Sequence, residues 1–448
     1  MLSLEDRDLD ITCCDIEAEI IARNIILFTL IIDDVKSENI KRIWDIYYHF
    51  QVDDDSLGLL REQASRLNGI ASTAEGWNNG KNGHILRFCD SYTFSQVMRL
   101  WDFLCPAAMA HVIGDGIVTP GARSMAPLFS SGIEGLPKFY KDYWKNGTTA
   151  TDEERVRQSK NLNPMFGALS KSLVLHYGTD PILGYSLAPA FAPLSEQSPL
   201  SPDSPTTGEP NTIIRVVIAQ FDAYAKAVRS SVGRLTIRFV NADALAFCHT
   251  LQHIQEYGTS TPAWWYRSTQ CYTPLTLDSG DYSQRTSNSP APLCFDIVDT
   301  SNLVDHLGCL NLLAAAGPLL SPKPTSTLST EMLVLRERDV DQYAKSLVCG
   351  DLSTVALLFG LIPTQYWTGT CATSSFSEYL ANSLKKEDPS SMNTQSRYIL
   401  LWKSLGLPLK PKGGPSIEER VPGLSFDPKE LATLMYRVYL RMFQDESW

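Results

Sequence analysis

The chain has 448 residues, of which 44% are hydrophobic and 10% aromatic, apolar material enough for two or three packed units of ordinary domain size. A formal net charge of −11 excludes a general electrostatic grip on nucleic acid, which requires a basic surface. No apolar run reaches the roughly 18 residues that cross a bilayer, since the nearest, Ile20 to Ile32, is interrupted by Arg23 and Asn24.

Acidic residues in the opening "MLSLEDRDLD" stand where a leader peptide would carry basic and then apolar ones, which gives an expectation of cytoplasmic residence with the nucleus left open. Leu9–Cys14 then reads as a buried strand, and Glu17–Ile32 as a helix with Ala18, Ile21, Ile25 and Phe28 on one stripe. "ENIKRIWDIYYHF" and "SLGLLREQASRL" are helical in pattern, separated by the acidic turn "VDDDS" and followed by the loop "EGWNNGKNG". "HILRFCDSYTFSQVMRLWDFLC" reads as a short strand and an amphipathic helix. Periodicity weakens over 106–190, and "LSEQSPLSPDSPTTGEPNT", residues 194–212, is too polar and proline-rich to fold alone, so it is expected to be a disordered linker.

Beyond the linker, "TIIRVVIAQFDAYAKAVRSS" predicts a helix of about five turns. A strand at Leu235–Val240 and a helix follow. After the polar loop "DSGDYSQRTSNSPAP" the segment "LCFDIVDTSNLVDHLGCLNLLAAAGPLLS" predicts another strand and helix. Residues 331–448 read as mainly helical, ending in "DPKELATLMYRVYLRMF", where Asp427 caps a helix with Pro428 in its first turn. Strands alternating with helices predict an α/β fold whose mostly parallel sheet is covered on both faces.

Three of the expected strands end on acidic residues: "ITCCDIE" with Asp15 and Glu17, "IRFVNAD" with Asp243, and "FDIVDTSN" with Asp296 and Asp299. In open α/β sheets ligands bind in the crevice outside the carboxyl ends of the strands, where acids accept from ribose hydroxyls or an adenine amino group. The competing account of each acid is a helix cap, favoured by the orphan amides and dipole of the next helix.

These motifs resemble the second, third and fourth strand motifs of class I S-adenosylmethionine-dependent methyltransferases. "DLDITCCDIEAEIIARNIILFTLI", "LRFCDS", "FDIVDTSNLVDHLGCLNLLAAAGPLL" and "LVCGDLSTVALLFGLIPTQYW" are similar to a fungal family carrying a domain of unknown function shared with the N-terminal region of dynein axonemal assembly factor 3. That family often adds a C-terminal MYND-type zinc finger. The resemblance covers most of residues 5–370 and implies a Rossmann-type, methyltransferase-like sheet. It makes Asp15 the ribose acid and Asp243 the adenine-side acid, and places Asp299 at the methyl-donor end.

The family's first strand and its "GDLRN"-like loop have no counterpart in this sequence, which gives the expectation of an N-terminally incomplete domain. The implied layout is a methyltransferase-like domain over 1–330, a large and mainly helical insertion over about 36–212, and a helical region over 331–448. Cys349 and Cys371 are too few for the zinc finger.

Other chemistry carries less. The 10 cysteines include no C-x-x-C pair and read as reduced core fillers. His249 and His253 lie one helical turn apart beside Cys248 but read as an ordinary helix face. His306 lacks a nucleophile at recognisable spacing. No P-loop, G-x-S-x-G or G-x-G-x-x-G is present. Trp264 and Trp265 are adjacent, so one faces outward on a strand or a helix, and exposed tryptophan suits a protein contact. The expectation is therefore a non-catalytic interaction or assembly module, with protein partners, no metal and no nucleic-acid or membrane partner. Its alternatives are an active methyltransferase using S-adenosylmethionine and a regulatory fragment of a MYND zinc-finger protein.

Overall fold

A computed structural model describes residues 7–104, 139, 142–143, 145–166, 181–182, 184–190, 210–260, 265–269, 271–282, 290–332, 340–365, 398–404 and 436. The chain divides into two compact units, Met1–Thr250 with Gly258–Ala291, and Leu251–Tyr257 with Pro292–Trp448.

In the first unit, β1 (Leu9–Asp15) leads into α1 (Ala18–Asp33) and α2 (Ile40–Tyr48). Next come β2 (Gln51–Val52), α3 (Asp54–Asn68), α4 (Ala74–Asn78), β3 (Leu86–Phe88) and α5 (Ser91–Leu104). Then come α6 (Glu153–Gln158), β4 (Asn161–Leu162), α7 (Pro210–Ser230), β5 (Leu235–Asn241) and α8 (Ala244–Tyr257), the last straddling the division between units. A hairpin of β6 (Tyr266–Ser268) and β7 (Cys271–Pro274) follows. Strands β1, β5 and β3 form a parallel sheet in that spatial order, with Thr12, Arg238 and Arg87 in one row across it.

Strand β5 sits in the middle and is buried on both faces, all its residues except Thr236 being shut away from solvent; the apolar Leu235, Ile237, Phe239 and Val240 are joined there by Arg238 and Asn241, whose polar groups are met by the protein's own partners. One face is packed by aromatic rings. Phe88 meets Trp77 of α4 at 5.5 Å and Phe94 of α5 at 5.2 Å, while Trp101 of α5 donates its indole N–H to the Ala22 carbonyl of α1. Of the stripe expected on α1, Ile21 and Ile25 are buried while Ala18 and Phe28 are half-buried, and the buried surface extends to Ile26 and Ile31.

The opposite face carries charge. Arg238 is 1% exposed at the centre of β5. Its guanidinium forms ion pairs with Asp10 of β1 at 2.9 Å and with Asp281, which also takes Arg87 of β3 as a two-pronged partner at 2.5 and 2.6 Å. Asp281 comes from the turn after β7, so this network ties that turn across all three strands. Next to it, Tyr282 donates its hydroxyl to Cys89 Sγ at 3.3 Å.

A second buried group closes α2. His49 Nε2 lies 2.8 Å from Thr149 Oγ1, and Nδ1 lies 3.3 Å from Thr148 Oγ1 and 3.4 Å from Asp45. Burial lowers the imidazole pKa below its ordinary value, against the opposing pull of Asp45.

The second unit holds a mixed sheet in the order β10-β11-β9-β8. It is built from β8 (Ile297–Asp299), α9 (Leu303–Leu307), α10 (Cys309–Ala316), β9 (Thr327–Met332), α11 (Val340–Leu347), α12 (Leu352–Phe359), β10 (Leu361–Pro363) and β11 (Tyr398–Ser404). Strand β8 pairs parallel with β9, and β11 pairs antiparallel with both β9 and β10. Trp402 is fully buried in β11 and donates its indole N–H to Thr330 Oγ1 at 2.9 Å.

Several expectations change accordingly. The fold is mixed α/β with a three-stranded parallel sheet. A boundary at residue 330 would cut β9 in the middle of its pairing with β11. The region after 331 contributes strands β10 and β11, because short apolar runs such as "LIP" do not distinguish strand from buried helix. The stretch 36–212 is not wholly outside the sheet, since β3 lies within it. Of the linker, residues 210–212 open α7, with Pro210 in its first turn; residues 194–209, like Asp427 and Pro428, lie outside the described residues. In the strand order 3-2-1-4-5-6 the third strand is an edge, whereas β5, the strand matched to it, is central here.

Two measurements test this packing. Asp281→Asn leaves Arg87 and Arg238 without their shared counter-charge, and the expected loss in urea unfolding is about 3–5 kcal/mol; a loss below about 1 kcal/mol, as for a solvated surface pair, contradicts a buried network. For His49 the folded pKa is depressed, so the unfolded chain takes up a proton near about 6.5 while the folded chain resists it. Stability contributed by the neutral ring is then lost as pH falls below that value. The urea midpoint of His49→Gln should vary less than wild type between pH 7.5 and 5, and an unchanged slope refutes the assignment.

Candidate functional site

The candidate site is the carboxyl rim of the parallel sheet, where each strand is followed by an acid and a helix. Asp15 ends β1, Asp243 follows β5, and Asp90 follows β3. Each carboxylate accepts from the amides that open the next turn. Asp15 Oδ1 takes the Glu17 N–H at 2.8 Å. Asp243 Oδ1 takes those of Leu245 and Ala246 at 2.9 and 3.0 Å. Asp90 takes the Thr93 N–H and hydroxyl, both at 2.8 Å. Asp53 and Asp152 do the same for α3 and α6, and Asp351 does so for α12 of the second unit. The acid-after-strand pattern thus has a local cause, the orphan amides at helix starts.

The gaps between strand ends are filled by the protein's own groups. Between β1 and β5, the Asn241 side-chain amide donates to the Asp15 and Ile16 carbonyls at 3.0 and 2.9 Å. The Ala242 N–H donates to the same Asp15 carbonyl, and the Cys14 thiol to that of Ala242. Between β5 and β3 lies Arg267 of the hairpin, 3% exposed. Its guanidinium donates to the Asn241 carbonyl at 2.7 Å, pairs with Asp90 at 3.0 Å and lies over the Tyr92 ring at 4.2 Å. Its own carbonyl accepts from the Asp243 N–H at 2.7 Å. One residue therefore bridges the tops of two strands and carries the hairpin across them.

Burial dominates the rim's titration. It pushes the Asp90 carboxyl up from its ordinary range, with Arg267 and the Thr93 bonds pulling the other way. Burial, and then Glu19, raises Glu17. The thiol of Cys13 goes up to about 11 and that of Cys248 to about 12, both chiefly through desolvation. Thiols held so high are protonated at neutral pH and are poor nucleophiles.

Of the acids singled out in the sequence, the structure places Asp15, Glu17 and Asp243 at this rim. Asp296 and Asp299 belong to the second unit and to a different sheet. Asp296 is paired with Lys323 at 2.8 Å, which holds its carboxyl below the usual range, and Asp299 accepts from the Ser301 N–H at 2.8 Å. The third acid of the first sheet is Asp90. Its motif "LRFCDS" carries the signal, but a three-residue strand gives too little pattern to mark the acid that follows it.

The hairpin has an outward side. Along β6, Tyr266 is exposed and Arg267 buried, as strand alternation requires. Trp265 is 43%, Tyr266 57% and Tyr272 76% exposed. Trp265 stacks on His249 of α8 at 4.5 Å, and Tyr266 meets Tyr272 edge-on at 5.8 Å. Trp264 lies outside the described residues. Among the described residues no cluster of His, Cys, Asp and Glu has the arrangement of a metal site, and no helix is long and apolar enough to cross a membrane.

A family model described as a domain of unknown function (DUF4470) matches residues 2–52, which include β1, α1, α2 and β2. No curated protein and no solved structure matches the chain.

The capping account of Asp243 is tested by Asp243→Ala, with an expected loss of about 1 kcal/mol in urea unfolding of the ligand-free protein. An unchanged or increased stability indicates instead a carboxylate kept for a ligand at the expense of stability.

Proposed function

We propose that this chain is a non-catalytic protein-interaction or assembly module on a degenerate methyltransferase-like scaffold, with the β6–β7 hairpin as its docking surface. The observation that carries the reading is the occupation of the rim by Arg267 and Asn241. A cofactor laid across the strand ends would have to displace a buried guanidinium from Asp90, leaving an uncompensated buried carboxylate, a loss on the order of 3–5 kcal/mol. Asp243, the adenine-side acid, already caps α8, and Asp15, the ribose acid, already accepts the Glu17 N–H of the turn before α1. These residues do not fit S-adenosylmethionine, and no catalytic step is assigned to them. Support for a docking role comes from the same hairpin, which exposes Tyr266 and Tyr272 against one another and Trp265 over His249, residue types that dominate interface energetics.

A second reading, a methyltransferase, is favoured by one observation: Asp15 and Asp243 end neighbouring parallel strands, β1 and β5. Isothermal titration with S-adenosylmethionine separates the two readings. No binding heat is expected. Micromolar affinity lost in Asp15→Ala overturns the scaffold reading in favour of the enzyme. For the docking surface, affinity capture with wild type and with Tyr266→Ser/Tyr272→Ser should differ in the proteins retained, and identical sets contradict the hairpin's role.

A further inference from the structure

Away from the rim, α1 carries a cation without a counter-charge. Arg23 is 5% exposed, its guanidinium held between the rings of Tyr47 at 4.8 Å and Phe166 at 5.3 Å. No carboxylate among the described residues pairs with it, and its Nε has no hydrogen-bond acceptor. Arg238 and Arg267, equally buried, are both neutralised by aspartates. A buried charge left unpaired is expensive, and two cation–π contacts offset only part of that.

Tyrosines gather beside this guanidinium, Tyr47 under it and Tyr48 close enough to feel its charge. The Tyr47 hydroxyl bonds Asn24 Oδ1 at 3.3 Å, and those of Tyr48 and Tyr185 pair at 2.8 Å. Tyr224, 45% exposed, lies close enough for the Tyr47 and Tyr185 hydroxyls to act on it electrostatically. Tyr47, Tyr48 and Tyr185 are half-buried, so the cluster reaches the surface. Burial raises the Tyr48 phenol far above its ordinary value and Tyr185 to about 12, keeping both protonated, with one of the two protons spent on their mutual bond. The walls are aromatic, with Phe221 edge-on to Tyr48 at 6.4 Å.

We propose that Arg23 and the surrounding tyrosine hydroxyls form a binding site for a small organic monoanion, a carboxylate carried on an aromatic body. One fixed positive charge matches one negative charge. A phosphate dianion would bring a second charge that no other cation of the cluster neutralises. The rings of Tyr48, Tyr185 and Phe221 supply edge-to-face contacts for a flat body, while the guanidinium fork suits a carboxylate. The site is separate from the rim and holds whether or not the docking reading does.

Benzoate is the probe, with acetate and inorganic phosphate as comparators. In wild-type protein labelled with 15N-arginine, benzoate should move one Nε–H resonance saturably and raise the melting temperature, with acetate and phosphate weaker. Arg23→Met should remove that resonance and weaken benzoate binding at least about tenfold, the loss of a charge-assisted hydrogen bond. If Arg23→Met does not fold, the wild-type titration still decides, and Tyr48→Phe supplies a milder loss of affinity. No saturable shift in the wild type, or equal binding by Arg23→Met, overturns the proposal. Tighter binding of phosphate than of benzoate overturns the carboxylate assignment.

Discussion

The ion pair of Arg267 with Asp90 is the contact on which the architecture of the rim depends. Both groups are almost fully removed from water, so neither can be left alone without a large cost, and the pair locks a hairpin from beyond α8 onto the ends of β5 and β3. Everything at the carboxyl edge follows from that lock. The Asp243 amide is held by the Arg267 carbonyl, α8 starts where it does, and the opposite side of β6 turns its tyrosine outward. A side chain that in an open sheet would face a ligand here serves the protein's own packing.

The same logic applies across the unit. Arg238 and Asp281 tie the turn after β7 to the sheet from one face, while Arg267 ties the hairpin to the sheet from its end. Residues 265–269 and 271–282 therefore belong to a strap anchored at two buried arginines. Against that background Arg23 stands out, since it is buried to a similar degree and has aromatic neighbours in place of a carboxylate. Identical chemistry at three positions has been neutralised at two.

Much of this was legible in the sequence, and the limits are physical. The strand β1, the helix α1 and the β5–α8 pair have long, unambiguous hydrophobic periods, and the acids Asp15 and Asp243 fall at the rim because a parallel strand must end where its helix begins. "FDIVDTSN" has the same local pattern at Asp299, yet β8 pairs with β9. Local pattern fixes strand and cap but not which strands become neighbours. Asp90 has no such pattern ahead of it, because β3 is three residues long. Arg238, Arg267 and Arg23 gave no signal at all, since nothing in the sequence around an arginine tells whether it will be buried or what charge will meet it.

Amide hydrogen exchange tests the closed rim most directly. The N–H group of Asp243 donates to the Arg267 carbonyl, a bond that exists only while the strap is seated. In the ligand-free protein it should exchange as slowly as the central amides of β5, opening only with global unfolding. Exchange at the rate of an exposed loop, with β5 itself still protected, would mean that the crevice stands open and that the strap does not close it.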